Sequence, residues 1–483
     1  EKGQINGVGI WPMGVSIILF SLIIDKIGYG RAMVFAFFAH IIYAVVVICA
    51  PMVLAGPDAS PDAIAAGKRA GYWMLYIGNL IFALGNGTVE AVINPVVATM
   101  FSREKTKWLN ILHAGWPGGL VCAGLMTIAM GTADWRLKVG LIFLPVICYG
   151  LMMLQCKFPV NERVASGATY TEMLQEFGIV GAIIVVALIV REVLGSVFGF
   201  DATVQIAVGV IAVGLFGVFA RALGRPMFIF LLLIMIPLAT TELGTDGWIT
   251  SLMESQMAQL GVHAAWVLVY TSFIMMVLRF FAGPIVHRFS PLGLLAISTV
   301  VAAAGLFFLS KATGLTIMAA ATLYGFGKTF FWPTMLGVVS EQFPKGGALT
   351  LNATGGVGML GVGVLGMPFI GLLQENAVEK KLDTAIYQQI STENTSVFGK
   401  YTAIDPGKVA KMDPAVQTTV KETEEAAKKA TLGTMAIFPC IMFICYMLLI
   451  AYFKSKGGYK AEVLVGHAAE DAKFTGGVAS AVE

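Results

Sequence analysis

Glu90, Asn94 and His113 are polar side chains set inside two apolar runs. The runs read Gly85-Asn86-Gly87-Thr88-Val89-Glu90-Ala91-Val92-Ile93-Asn94-Pro95 and Asn110-Ile111-Leu112-His113-Ala114-Gly115-Trp116-Pro117, with a short basic turn from Arg103 to Lys107 between them. A carboxylate, a carboxamide and an imidazole can bind and release a proton or hold a polar solute. An ionisable group at membrane depth costs about 2.5–3.5 kcal/mol, so such groups lean towards function. Glu242 and Asp246 are four residues apart, hence on one helical face, with Trp248 half a turn on. An acid pair beside an indole suits a polyol, whose hydroxyls need acceptors and whose ring faces stack on aromatics; equally, this stretch could already reach the outer water layer. Lys328 supplies a base just before Trp332 and Pro333. Trp116 and Trp332 each precede a proline, where a helix can bend and expose carbonyls to a cavity; as packing aromatics they need no further explanation.

The elements that must carry these groups follow from composition. Hydrophobic residues make up 57% of the 483 and charged residues 13%, and mean hydropathy is +0.80. The chain is therefore expected to be an all-α polytopic membrane protein. Net charge is only +3 with the basic residues scattered over short loops, which gives no reason to expect nucleic acid. The six cysteines fall in or beside apolar segments without Cys-x-x-Cys spacing, so they read as packing residues. Spans of about 20 residues are expected near 7–24, 33–55, 73–101, 107–130, 138–156, 178–200, 203–221, 226–253, 262–286, 291–310, 314–340, 347–373 and 432–453. Basic residues concentrate on alternate loops, around Lys26 and Arg31, Arg103 to Lys107, Lys157 and Arg163, Arg221 and Arg225, Arg288, Lys345 and Lys454 to Lys460. Those loops are expected in the cytoplasm. An odd number of spans puts the chain start outside, which suggests a further helix upstream of Glu1.

Internal repetition divides the chain into two halves. Ser21-Leu22-Ile23-Ile24-Asp25-Lys26 recurs as Gly283-Pro284-Ile285-Val286-His287-Arg288, and Glu90-Ala91-Val92-Ile93-Asn94-Pro95 lines up with Lys328-Thr329-Phe330-Phe331-Trp332-Pro333. In both copies the following helix is glycine-rich. Glu90 and Lys328 then occupy equivalent positions, five residues before a proline, and a pseudo-two-fold axis along the membrane normal would turn them towards one central space. Such an acid and base either couple protonation to the side the cavity faces or form an ion pair that pins the halves together.

The stretch Asp25-Lys26-Ile27-Gly28-Tyr29-Gly30-Arg31 resembles the loop between the second and third helices of the major facilitator superfamily, with Ser21 in place of its glycine and Tyr29-Gly30 inserted before Arg31. The resemblance covers nearly the whole chain from Glu1 to Phe453. It implies a major facilitator fold of two pseudo-symmetric six-helix halves, with the first helix absent from this chain and an extra central helix hairpin at 178–221. It also implies that Asp25, Lys26, Arg31, His287 and Arg288 form a conformational gating loop. Within the superfamily, Glu90-x-x-x-Asn94-Pro95 followed by Leu109-Asn110 is similar to the fucose:proton symporter family. There, a glutamate at the position of Glu90 takes part in proton coupling, and a polar side chain sits near the position of His113. The seventh helix of the superfamily lines the central cavity, which would bring Glu242 and Asp246 to it.

The expected division is 1–156 as the N-terminal half, 157–225 as a linker with the extra hairpin, 226–453 as the C-terminal half and 454–483 as a cytoplasmic tail. The extracytoplasmic loop 375–431, rich in Lys, Glu, Ala and Thr, carries Asp405-Pro406 and Asp413-Pro414 as helix-start signals and is expected to form short amphipathic helices. The tail after Phe453 has a disordered composition. Arg279 resembles the arginine of anion carriers, but its first-half counterpart is Ile17, which argues against a paired-arginine site. Arg191 and Glu192 read as snorkelling or packing residues of the hairpin.

Together these features predict a secondary transporter of a small polar solute, a sugar, coupled to protons. The expected substrate-binding or coupling residues are Glu90, Asn94, His113, Glu242, Asp246, Lys328 and Trp332. An ion-coupled exporter or exchanger of an organic acid or amphipathic compound is the alternative, and a transporter-like sensor comes from another class. No nucleophile–base pair, metal-ligand spacing or phosphate loop marks an enzyme, and no cofactor or metal is expected. The expected partners are the solute, protons and the lipid bilayer, for a monomer in a bacterial inner membrane.

Overall fold

Capping side chains stand where the helices start. Ser60 accepts from Ala63 N–H, Asp201 from Thr203 and Val204 N–H, and Thr169 forms a reciprocal capping box with Glu172. The structure, a computed structural model, describes residues 8–464 except 57, 260 and 264. In chain order the first half contains α1 (Trp11–Ile27), α2 (Tyr29–Cys49), α3 (Pro61–Met100), α4 (Lys105–Leu112), α5 (Gly115–Ala129), α6 (Trp135–Gly140) and α7 (Phe143–Met153). A hairpin follows, α8 (Tyr170–Val190) and α9 (Ala202–Ala220). Then come α10 (Pro226–Ala239), α11 (Thr245–Gln259), α12 (Ala265–Phe280), α13 (Ala282–Phe289), α14 (Pro291–Lys311), α15 (Thr316–Lys328), α16 (Phe331–Gln342) and α17 (Gly347–Gly361). The chain continues through α18 (Met367–Glu379), α19 (Thr384–Ile390), the strands β1 (Ser391–Ser396) and β2 (Gly399–Ile404), α20 (Pro414–Met435) and α21 (Ile437–Ser455).

Among the described residues, 10 helical stretches are long and apolar enough to cross a membrane, and α12 with α13 forms one more candidate, bent by 71°. The two remaining expected segments correspond to α1 and to the broken pair α15–α16. In α9 only Ala220 is buried, as a helix in contact with lipid requires. The two halves meet where α1 packs on α17 and α5 packs on α12.

Two expectations are corrected. The 375–431 segment is more than short amphipathic helices, because β1 and β2 form an antiparallel hairpin with Ser391 opposite Ile404 and Ser396 opposite Gly399. Thr392, Thr395 and Thr402 favour the extended chain, and Gly399, at φ 108°, closes the turn. The helix-start signals hold: Asp405 accepts from Gly407 N–H and Asp413 from Ala415 N–H, and the bonds to Asp405 hold its carboxyl below the usual carboxylate range. Asp413 opens a single helix, α20, of 22 residues. The tail after Phe453 is ordered as far as the structure describes it: α21 runs to Ser455, and the segment that continues to Leu464 docks on the bundle through Lys460 O and Glu462 N–H. Residues 465–483, like Glu1–Gly7 and anything upstream, lie outside the described residues.

Candidate functional site

Three prolines prepare the site by what they lack. Without an N–H, each leaves the carbonyl four residues earlier without its helical donor: Ala91 for Pro95, His113 for Pro117, Thr329 for Pro333. At Pro117 and Pro333 such a carbonyl is expected from the sequence to face a cavity. Instead, protein groups take all three. Asn352 on α17 donates to Ala91 O at 2.9 Å, Arg279 Nη1 to His113 O at 3.0 Å and Arg279 Nε to Thr329 O at 2.7 Å. The third nitrogen of Arg279, Nη2, meets Glu242 Oε1 at 2.8 Å. Arg279 is 1% exposed and Glu242 2%, so this is a buried, multiply bonded ion pair.

The position of Glu242 depends on a local departure from α-helix. Thr240–Gly244 is π-helical and abuts a second π-helical stretch, Val362–Gly366, after α17; such widened turns recur at functional sites. Its other oxygen, Oε2, accepts from Trp332 N–H at 3.2 Å. Trp332 is the second residue of α16, whose first N–H groups have no helical acceptors, so the carboxylate also caps that helix. Asp246, four residues on, pairs with Lys328, which is fully buried and lies 5.2 Å from the centre of the Tyr324 ring. The Tyr324 hydroxyl donates to Thr241 O at 2.7 Å, tying α15 to the π-turn.

The expected pairing of Glu90 with Lys328 is therefore corrected, because Lys328 is matched inside its own half. Among the described residues Glu90 has no cationic partner. It accepts from Asn94 Nδ2 at 2.7 Å, and Asn94 Oδ1 lies 3.0 Å from His113 Nε2. With an amide oxygen facing it, the imidazole nitrogen donates. The spacing of four residues in α3 makes the first contact, whereas the second needs α3 and α5 side by side.

Trp332 is 7% exposed and packs on α17, where a Cβ at Gly358 would lie 2.8 Å from its ring. It is thus seated in a helix contact and shows little face for stacking. Trp116 is 44% exposed. The Trp248 side chain lies outside the described residues.

No protein-family profile and no curated protein matches this sequence. Solved structures do match. A double-tryptophan mutant of XylE aligns over 96% of this chain and 87% of its own at 14% identity, TM-score 0.56. The major facilitator superfamily proton:xylose symporter XylE, bound to 6-bromo-6-deoxy-D-glucose, aligns over 97% and 88% at 14% identity, TM-score 0.55. The E. coli fucose:proton symporter FucP aligns over 91% and 90% at 15% identity, TM-score 0.49. The chain has the major facilitator fold. It is an integral, multi-pass membrane protein.

In this major facilitator fold the end that carries the basic loops is closed. Thr106 donates to Glu341 Oε1 through its N–H at 3.0 Å and its hydroxyl at 2.5 Å, joining α4 of the first half to α16 of the second. Contact is close because residue 337 is glycine, where a Cβ would lie 2.7 Å from Thr106 Cα. Lys105 pairs with Glu162 at 2.6 Å and donates to Ser340 O at 3.1 Å. The tail adds to the same residue: the Tyr459 hydroxyl donates to the carboxylate oxygen Glu341 Oε2 at 2.7 Å, and Glu462 N–H donates to the main-chain Glu341 O at 2.7 Å. Of the expected gating residues, Asp25 pairs with Arg163 and His287 Nε2 lies 3.0 Å from Glu104. Lys26 covers the Tyr170 ring, Arg288 lies over Phe289, and Arg31 is exposed. The bonds that cross between halves here come mainly from Lys105, Thr106, Ser340 and Glu341, which sequence reasoning passed over. The basic run Arg103 to Lys107 located their loop, but the partners are 235 residues away.

Proposed function

We propose that this chain is a secondary active transporter that moves a small polar solute, a sugar, by proton-coupled alternating access between its halves 1–156 and 226–453, with 157–225 as the linker. One observation carries the coupling part. Glu90 is an intramembrane carboxylate whose side-chain hydrogen-bond partner among the described residues is neutral Asn94, itself bonded to His113. A charge that no cation neutralises is suited to come and go with a proton, and its state sets the orientation of Asn94 and then of His113. The solute part is supported by the carboxylates of Glu242 and Asp246, acceptors for hydroxyl groups, and by the likeness in fold to XylE, a proton:xylose symporter. An anion carrier would need a free buried cation; Arg279 and Lys328 are each matched by a carboxylate.

The test is uptake of labelled sugars into proteoliposomes with and without an inward proton gradient, wild type against Glu90→Gln. Gradient-driven accumulation that the substitution abolishes, with counterflow exchange retained, is the expected result. Absence of flux for every sugar, with ligand binding intact, would favour a sensor.

A further inference from the structure

Arg279 takes no part in the proton site or in the solute acceptors, yet it is the group through which they touch. Its three nitrogens reach three different helices: Glu242 beside α10, Thr329 O after α15, and His113 O at the α4–α5 break. The last contact crosses between the halves. Both carbonyls are free because Pro333 and Pro117 have no N–H to give them. A planar guanidinium is suited to this triple role because its N–H groups diverge in a fixed fork, whereas a lysine ammonium offers a point charge.

We infer that Arg279 is a positioning residue that couples the two halves, linking the Glu242 carboxylate to the His113 end of the Glu90–Asn94–His113 chain. This inference rests on the transport reading for its consequence but not for its geometry. A solute hydroxyl that draws on Glu242 competes with Arg279 for the carboxylate. The guanidinium then shifts, and its hold on His113 O weakens. Conversely, a rearrangement of His113 that moves its carbonyl is felt at Glu242. Solute occupancy in one half is thereby communicated to the proton site in the other through one side chain and one main-chain atom.

Pro117→Ala tests this without touching a charge. The new N–H at 117 can bond His113 O along the helix and displaces Arg279 from it. Two readouts are needed, in a background with the six cysteines replaced. Spin labels on Gln155→Cys and Phe289→Cys, exposed positions of the two halves, report the ratio of closed to open basic-loop ends by pulsed dipolar spectroscopy, with no substrate present. Proteoliposomes report the ratio of gradient-driven accumulation to counterflow for labelled xylose. We expect Pro117→Ala to change each ratio about tenfold, the size of effect that loss of one charge-assisted hydrogen bond produces. Arg279→Lys should do the same, and the double variant should add little to either single one, as coupled sites require. Unchanged distances in both single variants, or additive effects in the double, would overturn the inference. A wild-type protein that moves no xylose would count against the transport reading alone, and the distance measurement would still decide this one.

Discussion

The two proline motifs that sequence alignment superimposes, Glu90 to Pro95 and Lys328 to Pro333, are handled in opposite ways. In the first, α3 continues unbroken through Pro95 and the freed carbonyl of Ala91 is met by the neutral amide of Asn352. In the second, the helix breaks after Lys328, and the freed carbonyl of Thr329 is met by a charged guanidinium. The first motif leaves its ionisable residue with amide and imidazole neighbours. The second motif's half buries two matched ion pairs, Arg279 with Glu242 and Lys328 with Asp246. One sequence repeat thus yields a half in which Glu90 has no cationic partner among the described residues and a half in which Glu242 and Asp246 are each paired with a cation. Equivalent positions in a repeat need not have equivalent chemistry, because each side chain answers to its own neighbours.

That contrast can be broken or sharpened by substitution. The largest effect is expected in the charged half: Arg279→Met strands the buried Glu242 carboxylate and should cost about 3–5 kcal/mol. The measurement is thermal unfolding in detergent, and the double variant Arg279→Met with Glu242→Gln should recover part of the loss. Next, the positions four after each proline differ, Thr99 in one half and Gly337 in the other. Gly337→Ala drives a methyl into Thr106 and should disfavour the closed arrangement by about 1–3 kcal/mol, read as a longer distance between labels on the two halves. In the neutral half, Asn352→Ala removes a single uncharged bond to Ala91 O and should cost about 1 kcal/mol by the same unfolding assay. Smallest of all, Glu90→Gln breaks no ion pair and should leave the melting temperature within the range of an ordinary surface substitution, about 0.5 kcal/mol or less. A loss for Glu90→Gln as large as that for Arg279→Met would mean that the two motifs are not different after all.

Much of the candidate site was legible residue by residue. Glu90 with Asn94 was visible because a spacing of four puts side chains on one helix face. The value of Glu242, Asp246 and Lys328 was visible because charge is rare at membrane depth. Their partners were not. The pairing of Glu90 with Lys328 was inferred from pseudo-symmetry, which relates positions and says nothing of what stands beside them. Arg279, set in an apolar run, carried the same signal of rare charge, but two of its three acceptors are main-chain oxygens that any residue could supply. The latch of Tyr459 on Glu341 was hidden behind a polar, small-residue composition that reads as a free tail.

Hydropathy and the cost of unpaired backbone in lipid leave a chain of this composition little choice but a bundle of spanning helices, and its repeat and proline positions were settled by sequence alone. Which carboxylate met which cation, which donor took each freed carbonyl and which end of the bundle closed were decided only by the tertiary structure. Hydrophobic burial has no direction and is read from composition. A hydrogen bond requires two atoms within about 3 Å of each other in a fixed orientation, and only the packed bundle brings together residues that the chain separates by tens or hundreds of positions.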